Sequence, residues 1–251
     1  MAQKRFIPFL KNGKSSLGMT KQKTFLNWSS GKDCAFALYQ LLQEERTSVE
    51  KLFTTVSKST GRIGMHGLRE TLLRQQAQAI GLDLEVAYLP ENNSLDSYNQ
   101  VMHNAMQNLI KEGYSHAAFG DIFLEDLRMY REEQLSKVGL KGLFPLWKNN
   151  TKEQLNQFVA ASFKSVVVAA SGEYFDKTFP GTKIDEYFLD KLPIGVDPCG
   201  ENGEFHTFCY DGPIFANEVK FKFGERKTST YPAPKGGEIS KFHFIDLIPI
   251  S

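Results

Sequence analysis

The most informative stretch of this 251-residue chain is Trp28-Ser29-Ser30-Gly31-Lys32-Asp33-Cys34. It follows a short apolar run, 24–28, that is typical of a strand, and it precedes a helical pattern that begins near Ala35. Small residues let backbone N–H groups approach an anion, and the start of a helix adds partial positive charge. The stretch therefore predicts a phosphate-binding loop.

The spacing is not that of a Walker A loop. No second glycine lies five residues before Gly31, and Asp33 stands where a Ser or Thr would bind Mg²⁺. Two other interpretations stay open. Ser30 or Asp33 could simply cap a helix, and Cys34 could be a nucleophile, because a helix start lowers the pKa of a thiol.

Composition describes an ordinary globular protein, with 41% hydrophobic and 24% charged residues and a net charge of +1. Residues 1–23 contain six Lys or Arg and no Asp or Glu, which leaves about −5 on the remainder. A negative net charge on this part of the chain argues against a general nucleic-acid-binding surface, which needs clustered Lys and Arg. We expect 1–23 to be a solvated extension, with Met19 as an alternative start, and the absence of a membrane span or secretory signal predicts a cytoplasmic protein.

Strand and helix patterns alternate up to about residue 170. Strands are predicted at 24–28, 52–56, 84–89, 116–119, 143–146 and 165–170, and helices at 35–42, 66–80 with Gly81 as C-cap, 95–111, 124–137, and 151–163 with a capping box of Thr151 and Gln154. This alternation favours an α/β fold with a doubly wound parallel sheet and a ligand at the carboxyl ends of its strands. Beyond residue 171, the stretches 219–223 and 242–245 predict antiparallel strands.

A polar stripe follows the predicted fourth strand. Gly120 and Asp121 are followed at helical spacing by Glu125, Arg128 and Glu132. At a strand end, Asp121 could bind Mg²⁺, orient a nucleophile or accept a proton. The alternative is a solvated helix face laced with ion pairs.

A glycine-rich segment, 61–67, follows the second strand and precedes a helix. It is a candidate wall for adenine or ribose, or else a flexible turn. Its His66 could instead cap the following helix.

The densest polar cluster is 197–207, Asp-Pro-Cys-Gly-Glu-Asn-Gly-Glu-Phe-His-Thr. Its candidate site residues are Glu201, Asn202, Glu204, His206 and Thr207. Such density predicts a site, although a turn rich in capping residues is the alternative. Zinc binding by Cys199, His206 and Cys209 is disfavoured, because the spacing matches no common zinc pattern and no fourth Cys or His lies nearby.

Taken in order, these segments resemble the diphthine-ammonia ligase family of the PP-loop ATP pyrophosphatases. The loop of that superfamily usually reads Ser-Gly-Gly-x-Asp-Ser, so Ser30 replaces a Gly and Cys34 replaces a Ser. The other matching pieces are His66-Gly67, Gln76-Ala77, Ile80-Gly81, Gly120-Asp121-Ile122, Glu132, Pro145-Leu146-Trp147 and the stretch 197–215. The run Glu-Asn-Gly-Glu-Phe-His-Thr is the most specific of these.

The resemblance implies a Rossmann-like PP-loop domain, expected at 24–139, and a smaller C-terminal α+β substrate domain at 140–251. It implies that a carboxylate attacks the α-phosphorus of ATP, that pyrophosphate leaves, and that ammonia displaces AMP. Free ammonia is expected, because residue 2 is Ala rather than the Cys of an N-terminal glutaminase. The family's substrate is diphthine on elongation factor 2, and a host without diphthine would require another carboxylate.

The resemblance also implies roles for the candidate residues. The residues expected to bind ATP are Ser29, Ser30, Gly31, Lys32, Asp33, Cys34, His66 and Gly120. The residues expected to bind the substrate are Glu125, Arg128, Glu132, Glu201, Asn202 and Thr207. Lys32 would stabilise the leaving pyrophosphate together with Mg²⁺, which would be held mainly by the ATP phosphates, with Asp121 as a candidate further ligand. Asp121, Glu204 or His206 would be the base. A homodimer, a PP-loop enzyme acting on a tRNA base or small metabolite, and a non-catalytic nucleotide sensor stay open.

Overall fold

The structure is a computed structural model that describes residues 21–64, 66–91, 94–231 and 240–250. Its elements are β1 (Gln22–Asn27), α1 (Lys32–Leu41), β2 (Thr47–Ser57), α2 (Glu70–Ile80), β3 (Asp83–Leu89), α3 (Leu95–Lys111), β4 (His116–Ala118), α4 (Glu125–Ser136), β5 (Lys141–Leu143), α5 (Thr151–Ala160), β6 (Lys164–Ser171), β7 (Lys183–Ile184), a short 3-10 helix (Leu189–Lys191), β8 (Phe205–Asp211), β9 (Phe221–Tyr231) and β10 (Ser240–Pro249). The expected basic extension, except for 21–23, and the alternative start at Met19 lie outside the described residues.

The first five strands form one parallel sheet in the order β3-β2-β1-β4-β5. The chain runs outward from β1 to β3, crosses to β4 beside β1, and runs outward again to β5. The connections of β1 and β4 therefore leave in opposite directions, and such a switch point leaves a crevice at the carboxyl ends of the strands. The expected doubly wound α/β fold is confirmed.

Side chains of the central strands alternate between two cores, as the pleat requires. Leu26 and Leu52 face a core that includes α1 and α2, whereas Phe25 and Phe53 face a second core with α3 and α4. All four are at most 2% exposed. The strands are apolar on both sides because helices cover both faces of the sheet.

The strands beyond α5 are antiparallel. β6 pairs with β7, β8 and β10, and β9 pairs with β10. The strand predicted at 242–245 is confirmed as part of β10, and the one predicted at 219–223 overlaps β9, which begins two residues later, at Phe221. The run 165–170 is a strand as predicted, but it lies in this second sheet instead of continuing the parallel alternation. A continuous apolar run indicates burial on both faces of a strand and says nothing about the direction of its neighbours.

The start of α5 differs from the predicted capping box. Asn150 is the N-cap, and its side chain accepts a hydrogen bond from the backbone N–H of Glu153. Asn is as good an N-cap as Thr, and the cap therefore lies one residue before Thr151. Gln154 is left to turn inward, where it is buried.

Two other elements begin or end at residues that differ from the predicted ones. α2 begins at Glu70, with Arg69 as its N-cap, so His66 does not cap it. Gly81 ends α2 as predicted, with a left-handed φ of 82°. The strand predicted at 143–146 lies instead at Lys141–Leu143 and is the last strand of the parallel sheet. The division into two domains at residue 140 stays a prediction.

The two sheets share one continuous apolar core, which runs from α1 and α2 to β6, β8 and β10. The backbone N–H of Cys209 in β8 also donates to the carbonyl of Ser30, at 2.9 Å. The second sheet is therefore packed directly against the predicted phosphate loop. No helix in the described part of the chain is long and apolar enough to cross a bilayer.

Candidate active site

The loop between β1 and α1 has an unusual backbone. Ser30 has a φ of 74°, a left-handed conformation that costs a residue with a side chain about 1–2 kcal/mol. Gly31 is the N-cap of α1, and it has no side chain that could cap the helix. The interpretation as an ordinary capped helix start is therefore wrong, and backbone strain of this kind is typical of binding sites.

Gln76 of α2 holds this loop in place. Its amide nitrogen donates to the carbonyl oxygens of Ser30, at 3.0 Å, and Cys209, at 2.6 Å. Its amide oxygen accepts from the indole N–H of Trp28, at 2.9 Å. Gln76 is completely buried. Sequence analysis gave it no role, although a polar residue among the buried apolar residues of α2 was a usable signal.

The thiol of Cys34 lies inside the loop. Its Sγ is 3.4 Å from the Ser29 hydroxyl and donates to the carbonyl of Gly31 at 3.1 Å. Burial raises the pKa of Cys34 to about 11, and burial likewise raises that of Cys199 to about 12. The Cys34 thiol is therefore buried and neutral, which argues against a role as a nucleophile.

Two glycines allow the close approaches on which the site depends. A Cβ on Gly120 would lie 2.9 Å from the backbone carbon of Asp33, which no neighbour could accommodate. A Cβ on Gly31 would lie 3.3 Å from the Thr207 hydroxyl. The end of β4 and the cluster 197–207 therefore both pack against the start of α1.

Lys32, at the start of α1, contacts residues of the cluster 197–207. Its backbone N–H donates to the Thr207 hydroxyl at 3.0 Å, and its ammonium contacts the Asp33 carboxylate at 2.7 Å and the Cys199 carbonyl at 2.5 Å. Burial alone would lower the pKa of Lys32, but Asp33 and the neighbouring acidic groups outweigh it and raise that pKa. Lys32 is a fixed cation at the start of α1.

Glu204 organises the cluster 197–207 from within. Its Oε1 accepts from the backbone N–H of Asp197 and from the side chain of Asn202, both at 3.0 Å. Its Oε2 is buried and has no hydrogen-bond partner among the described residues. Asp197 in turn accepts the backbone N–H groups of Cys199 and Glu201. Glu204 and Asn202 therefore shape the loop rather than line the cleft.

His206 and His66 form a pair beside Lys32. Their ring centroids lie 4.7 Å apart, and Nε2 of His206 is buried without a partner in the described part of the chain. Burial, followed by the charge of Lys32, lowers the pKa of His206 to about 4, and burial lowers that of His66 as well. Both rings are neutral near pH 7.

Glu201 links the cluster to the turn after β4. Its Oε1 accepts from the backbone N–H of Ile122 at 2.7 Å. Burial raises the pKa of Glu201 to about 7; the hydrogen bond from Ile122 opposes this, and the charges of Asp33 and Asp121 add to it. Glu201 is therefore a carboxyl group that titrates near neutral pH.

Asp121 has a partner that sequence analysis missed. Its carboxylate binds Arg131 of α4, with Nε at 2.6 Å and Nη2 at 3.3 Å, and the guanidinium lies over the Phe119 ring at 4.5 Å. Burial raises the pKa of Asp121, and Arg131 opposes that shift. Asp121 precedes α4, so helical spacing could not identify this pair.

The remaining residues of the predicted stripe lie outside the cleft. Arg128 pairs with Glu132 at 2.9 Å and lies over the Trp147 ring at 4.6 Å. Glu125 is exposed and 3.5 Å from Lys148. For these three, the structure matches the alternative interpretation, a helix face with ion pairs.

A cleft of about 390 Å³ opens at the carboxyl edge of the parallel sheet. The predicted residues that line it are Ser29, Gly31, Lys32, Asp33, Cys34, His66, Gly120, Asp121, Glu201, His206 and Thr207. Ser30 is buried within the loop and does not line the cleft, and Glu125, Arg128 and Glu132 do not line it either. No cluster of His, Cys, Asp and Glu in the described residues could hold a metal ion by itself.

The cleft suits an adenine nucleotide. The start of α1 and the ammonium of Lys32 offer positive charge to phosphates. The end of β2, at 53–55, and the side chains of Ile63 and Met102 line the same cleft and offer a wall for a base or ribose. The resulting cleft has a helix start and a lysine on one side and a group of acidic and imidazole side chains on the other.

Two family models match the chain. The diphthamide synthase N-terminal domain matches residues 22–142, and the diphthamide synthase C-terminal domain matches residues 150–237. A solved U34-tRNA thiolase, NcsA from Methanococcus maripaludis, is 16% identical and has a TM-score of 0.33, with 55% of each chain covered.

Curated relatives carry the name diphthine–ammonia ligase. The Bos taurus protein is 27% identical over 142 residues, which are 55% of this chain and 52% of that protein. The Mus musculus protein is 31% identical over 114 residues, 43% of each chain. The Danio rerio protein is 23% identical over 214 residues, 76% of this chain and 83% of that protein. The chain spans about half the length of the mammalian relatives it matches.

Proposed function

The chain belongs to the diphthamide synthase family, and we propose that it is an AMP-forming ligase that joins ammonia to the carboxylate of diphthine on elongation factor 2. Relatives named diphthine–ammonia ligase support this activity. A substrate carried by a translation factor places the proposed reaction in the cytoplasm.

The observation that carries the proposal is that Lys32, at the start of α1, is in direct contact with the cluster 197–207. We take the start of α1 as the phosphate site; its first residue, Lys32, is bonded through both its backbone and its side chain to the cluster 197–207. A nucleotide in the cleft would therefore have its phosphates next to a second group of reactive side chains. A ligase needs this arrangement, because it must bring a second substrate to a phosphorus of ATP.

The proposed reaction has two steps. A carboxylate oxygen of the substrate attacks the α-phosphorus of ATP, and the bond to pyrophosphate breaks, leaving an acyl-adenylate. Ammonia then attacks the acyl carbon, a proton leaves the nitrogen, and the bond to AMP breaks. Lys32 and the start of α1 would hold the charge that develops on pyrophosphate, and Mg²⁺ carried by the phosphates would share it.

Glu201 is the best-placed proton acceptor for the second step. It lines the cleft, and a base works best when its pKa lies near the working pH. The three groups named from sequence suit this role less well. Asp121 is bound to Arg131, Glu204 lies behind the cleft, and His206 is too weak a base near pH 7.

Incubation of the protein with ATP, ammonia and diphthine-bearing elongation factor 2 tests the proposal. We expect AMP, pyrophosphate and the mass change from carboxylate to amide on the factor. Lys32→Ala should lower kcat roughly 10²- to 10³-fold, as the loss of one charge-stabilising group does elsewhere. Lys32→Gln keeps a donor for the Cys199 carbonyl and separates loss of charge from loss of folding.

Lys152→Ala is the matched control, because Lys152 is exposed in the first turn of α5. Full activity of Lys32→Ala would remove the loop from the mechanism. Pyrophosphate without an amide on the factor would indicate another acceptor, such as a tRNA base or a small metabolite. ATP binding without pyrophosphate would indicate a nucleotide sensor.

A further inference from the structure

A second cavity, of about 500 Å³, lies on the opposite face of the parallel sheet between α3 and α4. α3 packs mainly on β3 and α4 mainly on β5, and the cavity lies between these two helices, where Phe25 of β1 and Ala117 of β4 form part of its floor. The proposed reaction with ATP makes no use of this space.

The walls of this cavity differ from those of the nucleotide cleft. Its inner part is apolar, with the buried side chains of Phe25, Met106 and Leu135. Its rim is polar and exposed, with Asn99 and Gln134. Such walls suit a side-chain arm with an apolar body and polar groups at its outer end.

The cavity and the nucleotide cleft are neighbours. They share Asn27, Tyr98, Met102, Phe119 and Arg131 as lining residues. A molecule in the cavity would therefore lie next to a nucleotide in the cleft.

Arg131 stands at this junction and is held rigidly. Asp121 fixes its Nε and Nη2 groups, and the Phe119 ring lies beneath the guanidinium. Its Nη1 group makes no hydrogen bond to any described residue, so N–H donors are available for a ligand. A positioned guanidinium is well suited to a carboxylate.

We propose that the cavity between α3 and α4 is the acceptor subsite, which takes the apolar arm of the substrate while Arg131 holds its carboxylate beside the nucleotide. This inference rests on the proposed function and adds the location of the second substrate. It also gives Arg131 the role that the sequence assigned to Arg128. The predicted acceptor residues of α4 face solvent, whereas Arg131 lies between the two cavities.

The rim of the cavity allows a test that leaves the core intact. Gln134→Trp places a bulky ring at the entrance from an exposed position of α4. We expect KM for diphthine-bearing elongation factor 2 to rise at least about ten-fold, with KM for ATP unchanged, because only the acceptor is obstructed. Glu133→Trp is the matched control, since Glu133 is exposed on the same helix and lines neither cavity.

Arg131→Gln tests the carboxylate contact. We expect KM for the factor to rise about 10- to 100-fold, the range for loss of one charge-assisted hydrogen bond, while the affinity for ATP stays the same. Asp121→Asn keeps the guanidinium but weakens its support, so its effect on the same KM should be smaller. An equal loss of ATP affinity in Arg131→Gln would place Arg131 in the nucleotide site instead.

Binding of the factor, measured by biolayer interferometry with an ATP analogue that cannot be cleaved between the α- and β-phosphates, separates the two proposals. Binding that Gln134→Trp weakens, without turnover by the wild-type protein, would contradict the proposed function and keep the subsite. Turnover with unchanged KM and binding in Gln134→Trp would overturn the subsite and keep the function. Neither binding nor turnover in the wild-type protein would overturn both.

Discussion

The cluster 197–207 and the polar stripe of α4 look alike in the sequence, since each places several charged residues within a dozen positions. In the structure, the cluster folds inward and holds Lys32 through Cys199 and Thr207. The stripe faces outward, and its members pair with one another or with a surface lysine. The same density of polar residues therefore makes a site in one region and a solvated surface in the other.

The difference lies in the environment of each charge. Glu201 is partly buried, so water cannot fully stabilise its carboxylate, and its pKa moves to about 7. Glu132 is exposed on α4, where its pairing with Arg128 contributes little free energy of folding. A matched set of substitutions can test this contrast directly.

Glu201→Gln should have the largest effect of the set. We expect kcat to fall about 10²-fold, because a proton acceptor is lost while the shape of the side chain is kept. In the wild-type protein, kcat should rise with pH through about 7 as Glu201 ionises, and Glu201→Gln should abolish that rise. Steady-state rates of AMP formation from pH 5.5 to 8.5 provide the measurement. A variant that keeps the wild-type pH profile would show that another group is titrating.

His206→Gln should change the pH dependence of folding. The folded-state pKa of His206, about 4, is depressed below the ordinary value of 6.5, so its contribution to stability is present above pH 6.5 and is lost as the pH falls towards 4. The loss is on the order of 3 kcal/mol, since each pKa unit corresponds to about 1.4 kcal/mol. Urea unfolding at pH 7.0 and 4.5 should show a smaller decrease for His206→Gln than for the wild-type protein.

His66 contributes in the same direction and is still present in the variant, so some acid sensitivity should persist. Glu201 acts in the opposite direction, because its raised pKa means that its contribution is lost as the pH rises through about 7. Identical acid sensitivity of the variant and the wild-type protein would mean that His206 can take up a proton in the folded state without penalty.

Glu132→Gln should have the smallest effect. We expect the free energy of unfolding to change by less than about 0.5 kcal/mol and kcat to stay the same, because an exposed ion pair on a helix is worth little. Thermal unfolding and the ligase assay check both expectations. A loss of activity comparable to that of Glu201→Gln would show that the stripe of α4 contacts a substrate after all.

Most of the elements that carry the site could be predicted from the sequence. The helix at Leu95–Lys111 and the C-cap at Gly81 have the predicted positions, because helical periodicity and a glycine after it are local signals. The parallel direction of β1 to β5 followed from their alternation with helices. The antiparallel partners of 165–170 did not, because a strand's neighbours are set by residues far along the chain, as in the pairing of Ala170 with Phe205.

Within the site, the sequence alone predicted a phosphate loop at Ser29–Cys34 and a site in the cluster 197–207, because small residues, a helix start and dense polar groups leave local patterns. Only the tertiary structure decided that Gln76 clamps the loop, that Cys34 packs inside it, and that Arg131 rather than Arg128 stands beside the cleft. These roles depend on which side chains meet across the fold and on how much water reaches them, and neither quantity is encoded in residue spacing along one segment.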